Sequence, residues 1–318
     1  IQGVTKAFGD RVAVRDLSLV VPAGTVTGFI GPNGAGKTTT IRMIMSIFLP
    51  DRGAIRVLGA DSAAASKDRI GYLPEERGVY RKMRVLPFLV YMGRLKGVPE
   101  RVVRERAAGW LARVGLGDVA RKKCEELSKG MQQKVQFIAA VQHEPDLLIL
   151  DEPFSGLDPV NRRLLRELIQ EQHERGRTII FSTHAMLEAE QLCDHVLMIH
   201  QGRKVLDATR TQVRSRFDPH ALLVEPADEA DGARLGSVPG VVGVEPDPGA
   251  RGGLVVRLAE GADVHEAMRR VVASVPVRRV EVKRVSLEDV FIELVGARPE
   301  GPLPGAAPGR SREEAALA

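Results

Sequence analysis

Cysteine is nearly absent. Cys124 and Cys193 are the only two in 318 residues, and neither sits in a metal-ligand spacing. A disulfide-stapled framework and a zinc ribbon are therefore excluded, and a reducing, cytosolic compartment fits. Long hydrophobic runs are missing too. No 18 consecutive residues are apolar and uncharged, and no leader pattern opens the chain. If the protein works at a membrane, another chain must cross it. The chain begins at Ile1 and runs almost at once into Gly3-Val4-Thr5, so a few residues of a first strand are expected to precede it. A strong charge of one sign is also lacking. The net charge is +5, with acids and bases interspersed. So mild an excess reads as an ordinary solvated face, though it also suits nucleotide or an anionic membrane surface. Heptads are absent, which removes the long coiled coil.

What is present is a soluble-type core. Apolar residues make up 44% of the chain, and its length suggests about two domains. One stretch dominates: Gly31-Pro32-Asn33-Gly34-Ala35-Gly36-Lys37-Thr38. It matches the phosphate-binding pattern of glycines followed by lysine and a hydroxyl. Chance matches occur, so context decides. Thr25 to Ile30 reads as a buried strand, and Ile41, Ile44, Met45 and Phe48 recur at helical spacing behind the loop. Strand, loop and helix are the context that a phosphate cradle needs. Backbone N–H groups and a helix N-terminus then face the phosphates. Lys37 reaches the β- and γ-phosphates, Thr38 offers its hydroxyl to Mg²⁺, and Thr39 adds a phosphate contact. A glycine-rich turn with an incidental lysine is the bland alternative, and the flanking elements argue against it.

Taken in order, residues 11–21 alternate as one or two strands of an antiparallel layer, and Ala54–Leu58 is expected to be a short strand. Arg69–Pro74 is a strand closed by proline. Residues 76–145 read as an all-helical insert, with Pro87 and Pro99 suited to first helical positions and a third helix starting near Ser128. Leu147–Leu150 is a fully apolar strand, as a doubly covered parallel sheet demands. A helix with Leu165, Leu168 and Ile169 inward follows. Then come the strand Thr178–Phe181 and a hairpin around Gln201-Gly202. Strands alternating with helices give an α/β core. After about residue 207 the order is β-α-β-β-α-β plus a helix, the order of a split-βαβ unit. Ser286 and Asp289 resemble a capping box for that helix. Residues 297–318, rich in Gly, Pro, Ala and charge, are expected to be a disordered tail. The expected domains are 1–207, with a helical subdomain at about 76–145, and an accessory α+β domain at 208–296.

Asp151 ends the apolar strand and Glu152 follows it. Acids there point into the crevice where ligands bind open α/β sheets. Asp151 would hold Mg²⁺, partly through water, and Glu152 would polarise the attacking water. A surface acidic pair is the bland alternative.

Leu127-Ser128-Lys129-Gly130-Met131-Gln132-Gln133 resembles the signature loop of ABC transporter ATPases. It stands shortly before the apolar strand, where that family places it. Ser155-Gly156-Leu157-Asp158 is similar to the family's D-loop, Ser182-Thr183-His184 to its switch histidine, and Phe8 to the aromatic that stacks on adenine. Five ordered motifs over residues 1–207 are far more specific than any one. The resemblance implies a P-loop NTPase (RecA-like) core with an antiparallel β layer and an all-helical insert. It implies ATP and Mg²⁺ as cofactors. Ser128 and Gly130 would bind a γ-phosphate, and His184 would hold that phosphate and the attacking water; a simple helix N-cap and an ordinary structural histidine are the competing readings. It also implies partners. A second ATPase subunit would dock head to tail, with Asp158 at the joint, and integral membrane permease subunits would sit outside. The place would be the cytoplasmic face of the inner membrane, peripherally attached, with no nucleic acid expected.

Three positions depart from the family. Glu75 replaces the glutamine that usually follows such a strand; it can still reach Mg²⁺ but adds negative charge. Lys129 stands where glycine is usual and Met131 where glutamine is usual. Arg77, Tyr80, Met83 and Phe88 fall where the family meets its membrane subunit, with packing inside the helical insert as the competing reading. The stretch Pro74–Gly78 and the end Ser286–Phe291 resemble a bacterial subgroup with sodium-exporter-like and drug-exporter-like members. The expected function is the ATP-hydrolysing subunit of an ABC exporter. The alternatives are a soluble relative acting on ribosomes or DNA, which usually has two cassettes, coiled coils or zinc sites, and a metabolic kinase, which leaves the Leu127–Gln133 loop and His184 unexplained.

Overall fold

The computed structural model describes residues 1–76, 78–217, 220–247 and 252–296. The first layer is antiparallel: β1 (Gln2–Phe8) and β2 (Arg11–Leu17) form a hairpin. The chain then dives into β3 (Val26–Ile30), all five residues buried, and passes through the glycine loop into α1 (Lys37–Ile44). Next comes β4 (Arg52–Ala54), which pairs with β1. The expected strand at Ala54–Leu58 is therefore displaced towards the N-terminus. Gly53 lets the backbones meet: a Cβ there would lie 2.4 Å from the Gln2 carbonyl oxygen. Beyond it Leu58 takes a left-handed φ of 52°, and Val57 pairs only with Ala60.

After β5 (Ile70–Leu73) the chain leaves the sheet for three helices: α2 (Val85–Leu95), α3 (Glu100–Arg113) and α4 (Lys129–Val141). Pro99 is the N-cap of α3, and Pro87 is the third residue of α2, still in the first turn where an N–H lacks a helical partner. Then follow β6 (Leu147–Asp151), α5 (Pro159–Glu174), β7 (Thr178–Thr183), α6 (Met186–Leu192), β8 (His195–His200) and β9 (Arg203–Thr209). The six-stranded sheet has the order β5-β6-β7-β3-β8-β9. Its pairs are parallel except β8 with β9. Helices cover it, so its central strands can be apolar without alternation.

Helix α7 (Arg210–Phe217) leads to a second sheet of β10 (Ala221–Pro226), β11 (Val241–Pro246), β12 (Leu254–Leu258) and β13 (Val277–Val282). Its order is β11-β12-β10-β13, antiparallel throughout, which is the split-βαβ order. The first crossover is a 3₁₀ segment, Glu229–Ser237, and the second is α8 (Val264–Ser274). Leu222, Val224, Val256 and Val271 centre a separate core.

The last helix, α9 (Leu287–Gly296), does not stay with that core. Leu287 and Val290 are buried in the cluster that contains β3, β6 and β7 residues, with Phe291 and Leu294 against it. Ser286 caps it: its Oγ accepts the Asp289 N–H at 3.0 Å. Phe291 meets His200 edge to face, 5.8 Å between ring centres. Helix α9 thus staples the second unit back onto the first. Replacing Leu287 with Ala is expected to cost about 2–5 kcal/mol, the range for a buried leucine, read as a lower urea midpoint with tryptophan fluorescence from Trp110 in the first unit. A midpoint unchanged from wild type would show that α9 is dispensable to that core.

Candidate functional site

Three neighbouring strands aim their carboxyl ends at one crevice. β3 delivers the glycine loop, β6 delivers Asp151 and Glu152, and β7 delivers Ser182, Thr183 and His184. Register aligns them: Asp151 pairs opposite Ser182, and Ile30 opposite Thr183. This is where open parallel sheets bind ligands.

The loop needs its glycines. A Cβ on Gly31 would lie 2.2 Å from the Ile199 carbonyl oxygen. Gly36, the N-cap of α1, has φ 105°, and a Cβ there would lie 2.6 Å from the Ala13 carbonyl oxygen. Lys37 is 5% exposed. Its Nζ donates to the carbonyls of Gly31 (2.7 Å) and Pro32 (3.2 Å) and lies 3.4 Å from Glu152 Oε1. Thr38 Oγ1 donates to Asp151 Oδ1 across 3.4 Å, and Ser182 Oγ donates to the same oxygen. Glu152 has φ 47°, left-handed and strained for a glutamate. Its N–H donates to Ser182 Oγ at 3.0 Å, which holds that conformation. His184 Nδ1 stands 3.0 Å from Glu152 Oε2.

A cleft of about 460 Å³ opens over these groups. It is lined by Phe8, Asn33, Gly34, Gly36, Lys37, Thr38, Thr39, Glu75 and Glu152, together with Arg11 and Ala13. Phe8 is 47% exposed and stands edge to face on Phe48. Gly31 and Pro32 supply carbonyls behind the lining, Ala35 is buried, and Asp151 lies beneath at 1% exposure. Ser128, Gly130 and Asp158 do not line this cleft. They gather elsewhere, around the start of α5. Ser128 caps α4, accepting the Met131 N–H at 3.3 Å. Asp158 caps α5, accepting the Asn161 N–H at 2.9 Å. Gly130 backs onto the Asn161 side chain, where a Cβ would lie 3.1 Å from Nδ2. Lys129 faces solvent and Met131 is half-buried.

Sequence reasoning missed Arg11, Ala13 and Ser182. Arg11 was findable, because Phe8 pairs directly opposite it across the hairpin turn. Ser182 opens the Ser-Thr-His run, but its double duty to Asp151 and Glu152 depends on strand register. Among the residues expected to meet a membrane subunit, Phe88 is corrected. It is 1% exposed and belongs to the core, with Tyr80 edge-on at 5.9 Å. Tyr80 is exposed, Met83 half-buried, and Arg77 lies outside the described residues, as does the tail 297–318.

Electrostatics follow from burial. Asp151 has its pKa raised, first by desolvation and then by the charges of Glu75 and Glu152; the hydroxyls of Ser182 and Thr38 oppose the shift. Burial and the Asp151 charge push the Tyr72 phenol up to about 12. Asp151 Oδ2 is buried without a hydrogen-bond partner among the described residues. A buried carboxylate oxygen with no donor, beside a threonine hydroxyl and Glu75, is a hard-oxygen set that fits Mg²⁺. Because the Asp151 pKa is raised, the folded state holds more protons than the unfolded state. Its contribution therefore falls as pH rises above the usual carboxylate range. Asp151→Asn is expected to raise the melting temperature at neutral pH without metal, with the gain shrinking as pH falls towards 4. Equal melting temperatures at pH 7 would remove the buried-charge argument.

Comparison with known proteins agrees with this geometry. A family model described as ABC transporter matches residues 14–155, and one described as the C-terminal domain of ATP-binding protein DrrA1-3-like matches 209–295. An AAA-domain model, putative AbiEii toxin of a type IV toxin–antitoxin system, matches 124–190. The chain is 40% identical over 297 residues to the uncharacterized ABC transporter ATP-binding protein YhaQ of Bacillus subtilis, covering 93% of this chain and 98% of that one. It is 33% identical to the daunorubicin/doxorubicin resistance ATP-binding protein DrrA of Streptomyces peucetius, covering 92% and 91%. A solved ATP-binding subunit of an ABC transporter superposes with a TM-score of 0.63 at 32% identity, covering 68% of this chain and 91% of that one.

Proposed function

The chain belongs to the family of ABC transporter ATP-binding proteins, and we propose that it is the ATP-hydrolysing subunit of an export system whose membrane-spanning part is a separate chain. The observation that carries the reading is the convergence of Lys37, Asp151, Glu152 and His184 at three adjacent strand ends. Export follows from the likeness over nearly the whole chain to a drug-resistance relative.

In this reading the exposed Phe8 ring stacks on adenine. The N–H groups of Gly34 to Thr38 and the start of α1 cradle the phosphates. Lys37 trades its carbonyl contacts for the β- and γ-phosphates. Thr38 and Asp151 would hold Mg²⁺, with Glu75 facing the same cleft, and the ion would neutralise phosphate charge there. Glu152 accepts the proton of the water that attacks the γ-phosphorus, while the bond to the ADP oxygen breaks. His184, beside Glu152 Oε2, orients that carboxylate and the water. Ser128, Gly130 and Asp158 lie away from the cleft in a single chain. That supports a head-to-tail pair in which the second copy's Ser128 and Gly130 close over the γ-phosphate.

The surface around α2 supports a membrane partner. Tyr80 and Tyr91 stand edge to face, 5.7 Å apart. Tyr91, Leu95, Pro87 and Val90 line an apolar groove edged by Arg94, Glu100 and Arg104. Such an exposed aromatic patch suits an amphipathic helix of a permease. Among the described residues no helix is long and apolar enough to cross a membrane.

Glu152→Gln is expected to lower turnover roughly 10²–10⁴-fold while keeping ATP affinity and trapping an ATP-bound dimer, seen by size-exclusion with light scattering. Lys37→Ala should lose nucleotide binding instead. Turnover by Glu152→Gln at the wild-type rate would overturn the assignment.

A further inference from the structure

Glu188 is a carboxylate buried to 5% exposure, four residues beyond His184 on α6. Two arginines of α5 hold it. Arg166 Nη2 donates to Oε2 at 2.8 Å, and Arg162 Nε lies 3.5 Å from Oε1. They sit one turn apart on the helix that Asp158 caps. Arg162 also reaches backwards: its Nη2 donates to the Leu157 carbonyl at 3.3 Å. A continuous polar path therefore runs from the Ser155–Asp158 loop, through Arg162 and Glu188, to the helix that follows His184. Pairing a buried carboxylate with partly exposed arginines is a weak source of net stability compared with apolar packing of the same volume. What it supplies here is geometry, since Arg166 fixes one carboxylate oxygen by a hydrogen bond while Arg162 faces the other as an ion-pair contact.

We propose that Glu188 is a positioning residue for hydrolysis, locking α5 to α6 so that the Ser155–Asp158 loop and His184 shift as one body. The inference rests on the reading of Glu152 and His184 as the hydrolytic pair. When a second copy engages the loop at Asp158, the displacement passes through Arg162 and Glu188 to His184. His184 in turn sets the Glu152 carboxylate against the attacking water. Nucleotide binding does not need this path, because Lys37, Thr38 and Thr39 lie outside it.

The test uses the full chain and steady-state ATP hydrolysis with Glu188→Gln and Arg162→Gln. Arg162 has a side chain 44% exposed, so its variant keeps the fold even where burial makes Glu188→Gln unstable. Both are expected to lower kcat about 10–100-fold, the scale of a small misplacement at the reacting centre, with KM for ATP changed less than about twofold. Single-turnover rates on a His184→Ala background should show no further loss on adding Arg162→Gln, because both act through one group. Folded Arg162→Gln with wild-type kcat overturns the proposal. So does a loss that multiplies in full with that of His184→Ala, which would mark a purely structural ion pair. Glu152→Gln is the control: if it hydrolyses normally, the reading of the site itself fails. If it is inactive while Arg162→Gln is active, only the positioning role fails.

Discussion

A net negative charge buried at the end of a parallel sheet is the constraint around which this protein is built. Asp151 and Glu152 are both nearly sealed from water; among the described residues the Lys37 ammonium lies within ion-pair distance of Glu152, with the His184 imidazole on its other oxygen. Burying carboxylates is costly unless donors surround them. The fold supplies those donors by register. Ser182 donates to the Asp151 carboxylate and accepts the Glu152 backbone N–H because β7 runs beside β6 in parallel, and Lys37 arrives at the Glu152 carboxylate because β3 lies on the other side of β7. The apolar content of β3, β6 and β7 makes the surroundings dry, and the dryness makes Asp151 reluctant to ionise alone. In the proposed reading, a divalent cation arriving with the phosphates would relieve that shortage of compensation.

Much of this was legible in the sequence because it is written in local signals. The strand before the glycine loop, the helix behind it and the apolar run ending in Asp151 each carry their own periodicity, and the structure has them all. The loop's required backbone was legible as glycine at positions where a Cβ would strike Ile199 or Ala13. What could not be read was pairing over distance. The strand expected at Ala54–Leu58 has the right composition, yet the chain pairs two residues earlier, because Gly53 alone lets the backbones approach. Phe88 looked like a surface aromatic since nothing local distinguishes a helix face turned inward from one turned outward. Ser182 had no signal of its own, because its role is set by which residue of β6 it faces.

The acidic Glu75 shares the cleft with Lys37 and Arg11, so the added negative charge is placed opposite cations rather than alone. Lys129, by contrast, points to solvent at the first turn of α4. These two of the three departures from the family pattern thus have different standing. One alters the charge of the nucleotide cleft, and the other alters a surface that a second copy would approach.

Helix α9 has a consequence for how the molecule comes into being. Leu287 and Val290 complete a core that includes residues of β3, β6 and β7 together with the helices packed on them. Synthesis is vectorial, so that core stays open at one side until the final helix has emerged. At roughly 5–20 residues per second, the segment between Thr209 and Leu287 delays closure by several seconds. Through that interval the apolar seat of α9 faces water, while the four-stranded unit is free to fold by itself on a core of its own. Residues made long after the first unit is begun are thus the ones that finish it, and a nascent chain stalled before Ser286 would carry an assembled cleft on an unsealed base.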